Sequence, residues 1–287
     1  MMAEIAQLMV NGIIYGSIIS LSAIGLSLVY GILNLANFAH GEYLTLGAYG
    51  AFFVSVTLGF NLIFGILAGI AVTVVIGLLL DRFIWKPMRE KKAGLVTLLI
   101  IAIGVSYLLR YSIQALWGAR IRTFGLPIKE GIPLLGAKIT YVQIAIILLA
   151  FSLMFLVHYL LRYTKIGKAM RACSDDIDLA RVSGIDVDKV ILWMWVIACS
   201  LSAIAGIMLG LDTHIRPTMG WNLLLPLFAA VILGGIGSAY GAIAGGMIIG
   251  FSQELSVAVI PSQYKPAVSF AIMIAVILVR PTGIFRR

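Results

Sequence analysis

IAQLMVNGIIYGSIISLSAIGLSLVYGILNLANFA, residues 5–39, is a run of 35 residues without one Asp, Glu, Lys or Arg. A membrane-spanning helix needs about 20 apolar residues, so the run is long enough to cross a bilayer. As one straight helix it would reach about 52 Å, well beyond a hydrocarbon core of about 30 Å. We expect it to break, tilt strongly or re-enter, and the natural break points are Gly25, Gly31, Asn34 and Asn37.

The composition of the whole chain indicates the same class of protein. Of its 287 residues, 61% are hydrophobic and 11% are charged, and the mean hydropathy is +1.07. Soluble domains are about 45–50% apolar and about 25% charged, so this chain has too few polar side chains for a water-facing surface. Composition therefore excludes a soluble enzyme, a nucleic-acid-binding domain and a disordered chain. We predict one all-α transmembrane domain over residues 1–287, a polytopic helical bundle embedded in lipid.

Apolar runs and polar segments alternate along the chain and predict eight or nine crossings with broken helices. Residues 43–80 read as two spans, about 40–58 and 62–80, and the charge-free run 217–253 must also cross twice. Single spans are expected at 93–117, 139–161 and 191–211, and a last one ends at Arg280. How residues 5–39 divide decides between eight and nine.

Lys and Arg are concentrated in three segments, which predict the orientation in the membrane. Residues 81–92, residues 162–190 and the C-terminus from Arg280 hold 14 of the 21. Cytoplasmic loops carry an excess of basic residues, so these segments and the C-terminus are expected in the cytoplasm. The N-terminus and the loop 118–140 then lie outside. We attribute the net charge of +9 to these loops rather than to a nucleic-acid surface.

The segment GILNLANFAHGEY, residues 31–43, places four polar side chains between two apolar stretches: Asn34, Asn37, His40 and Glu42. Charge at membrane depth is costly, and unwound backbone there is tolerated only in protein or beside a watery cavity. One interpretation is a broken helix that lines a substrate pathway. The other is a cytoplasmic turn in which His40 and Glu42 are simply solvated.

The longest polar segment, residues 162–190, carries six basic and five acidic residues and is too polar to span. Ser174 followed by Asp175 and Asp176 favours a helix start, because a hydroxyl cap and early acids suit free N–H groups. Gly184 favours a helix end. Apolar side chains embedded in the segment indicate a docking surface for a cytoplasmic partner, and the alternative is a solvated connector.

Glycine is dense between residues 234 and 250, and we expect these residues to pack helices closely: Gly234, Gly235, Gly237, Gly241 and Gly245. The same stretch resembles a phosphate-binding loop only weakly. Gly167–Lys168 is followed by Ala169, so the Lys and hydroxyl of an ATP-binding loop are missing. No metal-ligand spacing or nucleophile–base pair stands out. The sequence predicts no enzyme, no metal site and no cofactor in this chain.

Four stretches together resemble the LivH-type permease subunits of branched-chain and neutral amino acid ABC transporters: residues 31–49, 167–190, 229–250 and 279–285. The resemblance implies an inner-membrane importer subunit that works with a LivM-like second permease, two cytoplasmic ATPase subunits and a periplasmic binding protein. ATP and magnesium would bind to the ATPase subunits.

Individual residues can be placed on the family's motifs. A coupling helix within 167–190 would contact the ATPase, with matching positions at Arg171, Ala172, Asp175, Asp176 and Gly184. The family's N-F-A-H-G-E segment matches at Asn37, His40, Gly41 and Glu42.

Rival functions stay open at this point. Relatives of the family carry leucine, isoleucine and valine, other neutral amino acids, or urea and short amides, so the substrate is not fixed. A secondary transporter or channel that needs no ATPase would require intramembrane acids, for which Glu42 is the main candidate. A membrane enzyme would require a catalytic cluster, and His40 with Glu42 is the one candidate pair.

Overall fold

The computed structural model describes residues 2–126, 131–134, 136–280 and 282–285. Its elements, in chain order, are α1 (Met2–Leu33), α2 (His40–Phe52), α3 (Leu62–Leu80), α4 (Lys86–Glu90), α5 (Leu95–Trp117), β1 (Ile132–Leu134), β2 (Ala137–Ile139), α6 (Tyr141–Tyr163), α7 (Lys165–Asp175), α8 (Ile177–Val182), α9 (Val187–Asp212), α10 (Met219–Gly234), α11 (Ala239–Ser256) and α12 (Lys265–Val279). Turns of π-helix follow α2 at Phe53–Thr57 and α3 at Asp81–Trp85. The predicted all-α class is correct except for the antiparallel hairpin β1–β2, so the described chain is nearly all-α.

The long apolar run breaks once, between α1 and α2. Asn34 ends α1 with a φ of 50°, in the left-handed region that asparagine tolerates better than most residues. The Asn37 side chain then accepts a hydrogen bond from the backbone N–H of Ala39 at 3.0 Å, which fixes the connecting turn. Helix α1 continues through Gly25 and Gly31, so the expectation of breaks at these two glycines is wrong. Both serve instead as contact points for other segments.

Helices α1 and α9 form the centre of the bundle. In the most apolar stretch of α1, 89% of the residues are buried, against 6% in α12 at the periphery. Helix α1 packs mainly on α11 and α9, and α2 packs on α3 and α9. Small residues at these contacts let the backbones approach closely, which is how helices associate in lipid. Gly246 of α11, for example, lies directly against Ser20 of α1.

Six helical stretches are long and apolar enough to cross a membrane, judged by length and composition: Ala3–Leu33, Leu62–Glu90, Leu95–Trp117, Tyr141–Tyr163, Val187–Asp212 and Ser262–Val279. Helices α2, α10 and α11 also belong to the bundle but fall below those limits. The number of eight or nine crossings therefore stays a prediction. The division of 43–80 into two helices and the turn within 217–253 are both observed.

Contacts between loops define the two ends of the bundle. At the hairpin end, Gln7 near the start of α1 exchanges two hydrogen bonds with the backbone of Lys138, and Arg122 exchanges two with Ile215. At the basic end, the last turn of α1 meets Ser174 of α7 and Gly237, and Ile284 donates to the carbonyl of Leu233. The start of α1 thus shares an end with the described part of the loop 118–140. The basic segment 162–190 shares the other end with residues 282–285.

Candidate functional site

Helix α2 begins inside the bundle rather than at its surface. Its first residue, His40, is completely buried, with Nε2 3.0 Å from the carbonyl oxygen of Ser22 and 2.8 Å from the hydroxyl of Ser202. Ser22 and Ser202 belong to the middle parts of α1 and α9, and their hydroxyl oxygens lie 3.2 Å apart. The chain between α1 and α2 therefore folds back from the basic end into the helix bundle. This arrangement is a broken helix of the kind that the sequence predicts.

An ion pair lies two residues further along, still in the first turn of α2. Glu42 is fully buried, and its Oε1 accepts hydrogen bonds from Nη2 of Arg110 at 2.7 Å, from Nε of Arg110 at 3.1 Å and from Ser106 at 3.0 Å. The Arg110 side chain is 8% exposed. Its guanidinium stacks 4.3 Å from the ring centre of Trp221 and 5.3 Å from that of Tyr107. The pair joins α2 to α5 and is covered by an aromatic side chain of α10.

Helix α10 also begins inside the bundle, and its first turn meets that of α2. A Cβ placed on Gly41 or on Gly220 would collide with the carbonyl oxygen of the other, so glycine is required at both positions. The N–H of Gly220 donates to the hydroxyl of Thr45 at 3.1 Å. Two helix N-termini, each with a positive partial charge, thus converge near the Glu42 carboxylate. The negative charge of Glu42 compensates both.

The four predicted pathway residues lie in two different places in the structure. Asn37, His40 and Glu42 are completely buried at the broken helix, so His40 and Glu42 are not solvated side chains of a cytoplasmic turn. Asn34 is exposed and borders a cavity of about 230 Å³ at the basic end, together with Ser174. The Asn37 side chain interacts with the hydroxyl of Tyr43 as well as with its own turn.

Sequence reasoning missed the role of Arg110. Arg110 lies near one end of the predicted span 93–117, where an arginine can extend along its helix to the membrane surface. In the structure it pairs with a carboxylate 68 residues away. One signal could have found it. Glu42 and Arg110 are opposite charges inside two predicted spans, and charges at that depth are usually paired.

The polar segment 162–190 forms two short helices, α7 and α8. The helix start predicted at Ser174 is wrong, because Ser174 lies within α7. The cap is Asp176, whose Oδ1 accepts from the N–H groups of Asp178 and Leu179 at 2.9 Å each. Asp176 has an extended backbone, so its carboxylate reaches both free N–H groups. The residues before it are helical and cannot place their side chains there. Gly184, with a φ of 85°, follows α8 as predicted.

One face of this segment is anchored and the other is free. Met170, Cys173 and Ala180 are buried against the bundle and Ala172 is partly buried, whereas Leu179 and Val182 are 62% and 81% exposed. Arg171 and Asp175 are also exposed.

Burial raises the pKa of the Cys173 thiol. At the start of α9, hydrogen bonds from the side chain and backbone of Lys189 lower the pKa of Asp186.

Replacing Asp176 by Ala is expected to loosen α8 by about 1 kcal/mol, because the first N–H groups of the helix lose their acceptor. Hydrogen exchange of residues 178–182 should become faster while exchange in α7 is unchanged. Asp178→Ala is the matched control, since it removes a neighbouring exposed carboxylate that caps nothing. Equal exchange rates in both variants would contradict the capping role of Asp176.

In the glycine-rich stretch, α10 and α11 approach each other closely. A Cβ on Gly234 or Gly241 would strike the carbonyl of the other, and one on Gly245 would strike the carbonyl of Ala230. Gly235 and Gly237 form the turn with φ of 98° and 85°, a region that L side chains rarely adopt. In the part of the chain that the structure describes, no three His, Cys, Asp or Glu side chains are grouped to hold a metal ion.

Comparison with known proteins identifies the family. The model of a family described as "Branched-chain amino acid transport system / permease component" matches residues 8–277. The chain belongs to this permease family. The permease is 37% identical to the high-affinity branched-chain amino acid transport system permease protein LivH of Escherichia coli K12, over 98% of this chain and 95% of that protein.

A second relative agrees with this assignment, and one solved structure has a similar fold. The permease is 33% identical to the permease protein BraD of Pseudomonas aeruginosa, again over 98% of this chain and 95% of that protein. Its fold resembles a chain of PsaBC from Streptococcus pneumoniae in complex with Fab, with a TM-score of 0.54, 13% identity, and coverage of 96% and 92%. The permease is thus a multi-pass membrane transport subunit and not an enzyme, and the resemblance seen in the sequence is confirmed.

Proposed function

We propose that this permease is a subunit of an ABC importer that moves branched-chain or other neutral amino acids across the inner membrane. The observation that carries the proposal is the identity of 37% to LivH over nearly the full length of both chains. The partners would be a LivM-like second permease, two ATPase subunits that bind ATP and magnesium, and a periplasmic substrate-binding protein.

The distribution of charge supports an orientation for this complex. The basic end carries the segments 81–92 and 162–190, which together hold 11 of the 21 Lys and Arg residues. By the positive-inside rule it faces the cytoplasm, together with the C-terminus. The hairpin end, with the N-terminus and the loop 118–140, then faces the periplasm. It is the end at which the binding protein would release substrate.

The free face of α7 and α8 is the surface we assign to the ATPase. Leu179 and Val182 are apolar and exposed at an end that faces water, an arrangement expected of a contact surface. Beneath them, Ser174 touches the last turn of α1 and the turn between α10 and α11. Movement of α7 would therefore reach both α1 and α10. The coupling residues are proposed to be Arg171, Ala172, Ser174, Asp175, Asp176 and Gly184.

Replacing Leu179 and Val182 together by Glu is expected to lower the amount of ATPase that co-purifies with the permease by about tenfold, because two apolar contacts become charges that must be desolvated. The measurement is a pull-down from membranes with equal permease content. Asp188→Asn, which changes an exposed residue at the start of α9, serves as the control. ATPase recovery equal to that of the control would show that the docking surface lies elsewhere.

The substrate pathway is proposed to pass the broken helix. Asn37, His40 and Glu42 hold the start of α2 inside the bundle, and Asn34 lies at the cytoplasmic mouth. Broken helices with their N-termini inside the membrane are how many transporters present backbone N–H groups to an anionic substrate group. The two converging N-termini of α2 and α10 fit this pattern.

Uptake into reconstituted vesicles tests the whole proposal. The second permease, the ATPase and the binding protein are each omitted in turn, with labelled leucine, alanine, glutamine and urea as candidates. We expect leucine to accumulate only when every component and ATP are present. Uptake by this chain alone would overturn the proposal in favour of a secondary transporter. Accumulation of urea alone would replace amino acids by small amides.

A further inference from the structure

The ion pair of Glu42 and Arg110 lies beneath a surface that does not suit lipid. Tyr107 and Tyr111 of α5 stack with ring centres 5.9 Å apart and are 43% and 57% exposed. Asn222 of α10 is also exposed beside Trp221. These residues lie in the inner part of α5 and the first turn of α10, where a hydroxyl or carboxamide facing hydrocarbon would lack a hydrogen-bond partner. We call Arg110, Tyr107, Tyr111, Trp221 and Asn222 the Arg110 surface.

The hydrogen bonds of the ion pair leave capacity for a ligand. Arg110 uses Nε and Nη2 toward Glu42 and Ser106, while its Nη1 donates to no described residue. Glu42 accepts two bonds from Arg110 and one from Ser106, all on Oε1. Its Oε2 accepts no well-formed hydrogen bond, although the Thr45 hydroxyl interacts with the carboxyl group. A buried ion pair costs desolvation free energy that one-sided bonding does not fully offset. An arrangement of this kind suits a site that completes its bonding only when occupied.

From this geometry we propose that the Arg110 surface binds the substrate during transport and recognises a zwitterionic α-amino acid. The inference rests on the proposed function. The free Nη1 of the guanidinium donates to the carboxylate, since hydrogen bonds between arginine and a carboxylate are charge-assisted and strong. The ammonium meets the faces and hydroxyls of the two tyrosines, and the aliphatic side chain lies on the exposed aromatic rings. Glu42 is a positioning residue that fixes Arg110 and neutralises it.

Charge balance makes the Arg110 surface selective for its ligand. Arg110 and Glu42 together carry no net charge, and so does a neutral amino acid in its zwitterionic form. An amino acid with a charged side chain would bring an unpaired charge to a surface that lies within the membrane, at a large cost. Urea and short amides would leave the guanidinium without its carboxylate. The surface therefore favours neutral amino acids over both alternatives.

The first experiment measures uptake and ATP hydrolysis together in the fully assembled transporter. The double variant Glu42→Gln with Arg110→Gln removes both charges and avoids leaving one of them buried alone. We expect its leucine uptake per ATP hydrolysed to fall about tenfold or more, with Arg110→Lys in between. Arg82→Gln, an exposed arginine at the end of α3, should match the wild type. An unchanged ratio in the double variant would overturn the proposal.

The second experiment detects binding without relying on transport. Both native cysteines, Cys173 and Cys199, are buried, so Asn222→Cys supplies the accessible thiol for a membrane-permeant maleimide in the assembled transporter. Leucine at about ten times its half-saturating concentration should slow labelling about tenfold. Leucinamide, which lacks the carboxylate, should not. Equal protection by both compounds, or protection that persists in the charge-free double variant, would exclude carboxylate recognition by Arg110.

The two proposals fail in different ways. If the wild-type complex does not accumulate leucine, the importer assignment fails. If it accumulates leucine but the double variant keeps the wild-type ratio of uptake to hydrolysis, only the assignment of the Arg110 surface fails.

Discussion

Replacing Arg110 by Leu is expected to lower the free energy of unfolding by about 3–5 kcal/mol. Glu42 is completely buried, and Arg110 is the only cation that an ion pair joins to it within the described residues. Without the guanidinium the carboxylate keeps its desolvation cost and loses its opposite charge. The helix ends at Gly41 and Gly220 compensate part of this charge but supply no full cation.

Unfolding in mixed detergent micelles would measure this loss of free energy, and a double-mutant cycle would show how much of it comes from the ion pair. The variant Glu42→Gln with Arg110→Gln should recover most of the loss, since neutral amides leave no buried charge behind. Arg82→Leu provides a matched control at an exposed site. A loss for Arg110→Leu no larger than that of the control would mean that water reaches the carboxylate of Glu42.

Gly245→Leu is the second large effect that we expect, a loss of about 3 kcal/mol or more, at the upper end of overpacking costs. A Cβ at this position would collide with the carbonyl of Ala230 and lie 3.2 Å from the backbone nitrogen of Gly234. Neither obstacle is a flexible side chain, so α10 and α11 would have to separate. In lipid no hydrophobic effect would hold the separated helices together.

Gly104→Leu is the control for this prediction. Gly104 is a helical glycine of α5 with nothing within 4 Å of a Cβ, so the same change of side chain meets open space there. Thermal unfolding in detergent should show a lower midpoint for Gly245→Leu and a nearly unchanged one for Gly104→Leu. Similar midpoints for both variants would contradict close packing between α10 and α11.

Much of the fold could be predicted because membrane helices correspond to long apolar runs in the sequence. The helices at 95–117 and 141–163 and the turn after Gly234 follow from hydropathy and charge. The sequence gives no comparable signal for how deep within the bundle a helix begins. Helix α10 begins inside the bundle within a charge-free run, and nothing in that run separates a half-buried start from a start at the surface.

The candidate site was predictable only in part. Asn37, His40 and Glu42 stand out because polar groups are rare in apolar surroundings. Their partners Ser22, Ser106 and Ser202 are ordinary residues of membrane helices, and only the fold brings them close. Arg110 was misinterpreted for a related reason, since a charge near the end of a span reads equally well as a surface residue. Pairing across helices is not visible in one sequence.

The central position of α1 has a consequence for how this protein is made. Helix α1 leaves the ribosome ahead of the other described helices, yet its main packing partner α11 begins about 200 residues later. At about 5–20 residues per second, roughly 10–40 s pass before that partner is synthesised. During this interval the serines and glycines that later meet α9 and α11 have no partners within the chain. A nascent permease would therefore depend on the insertion machinery or a chaperone to shelter its first helix until its last third has been made.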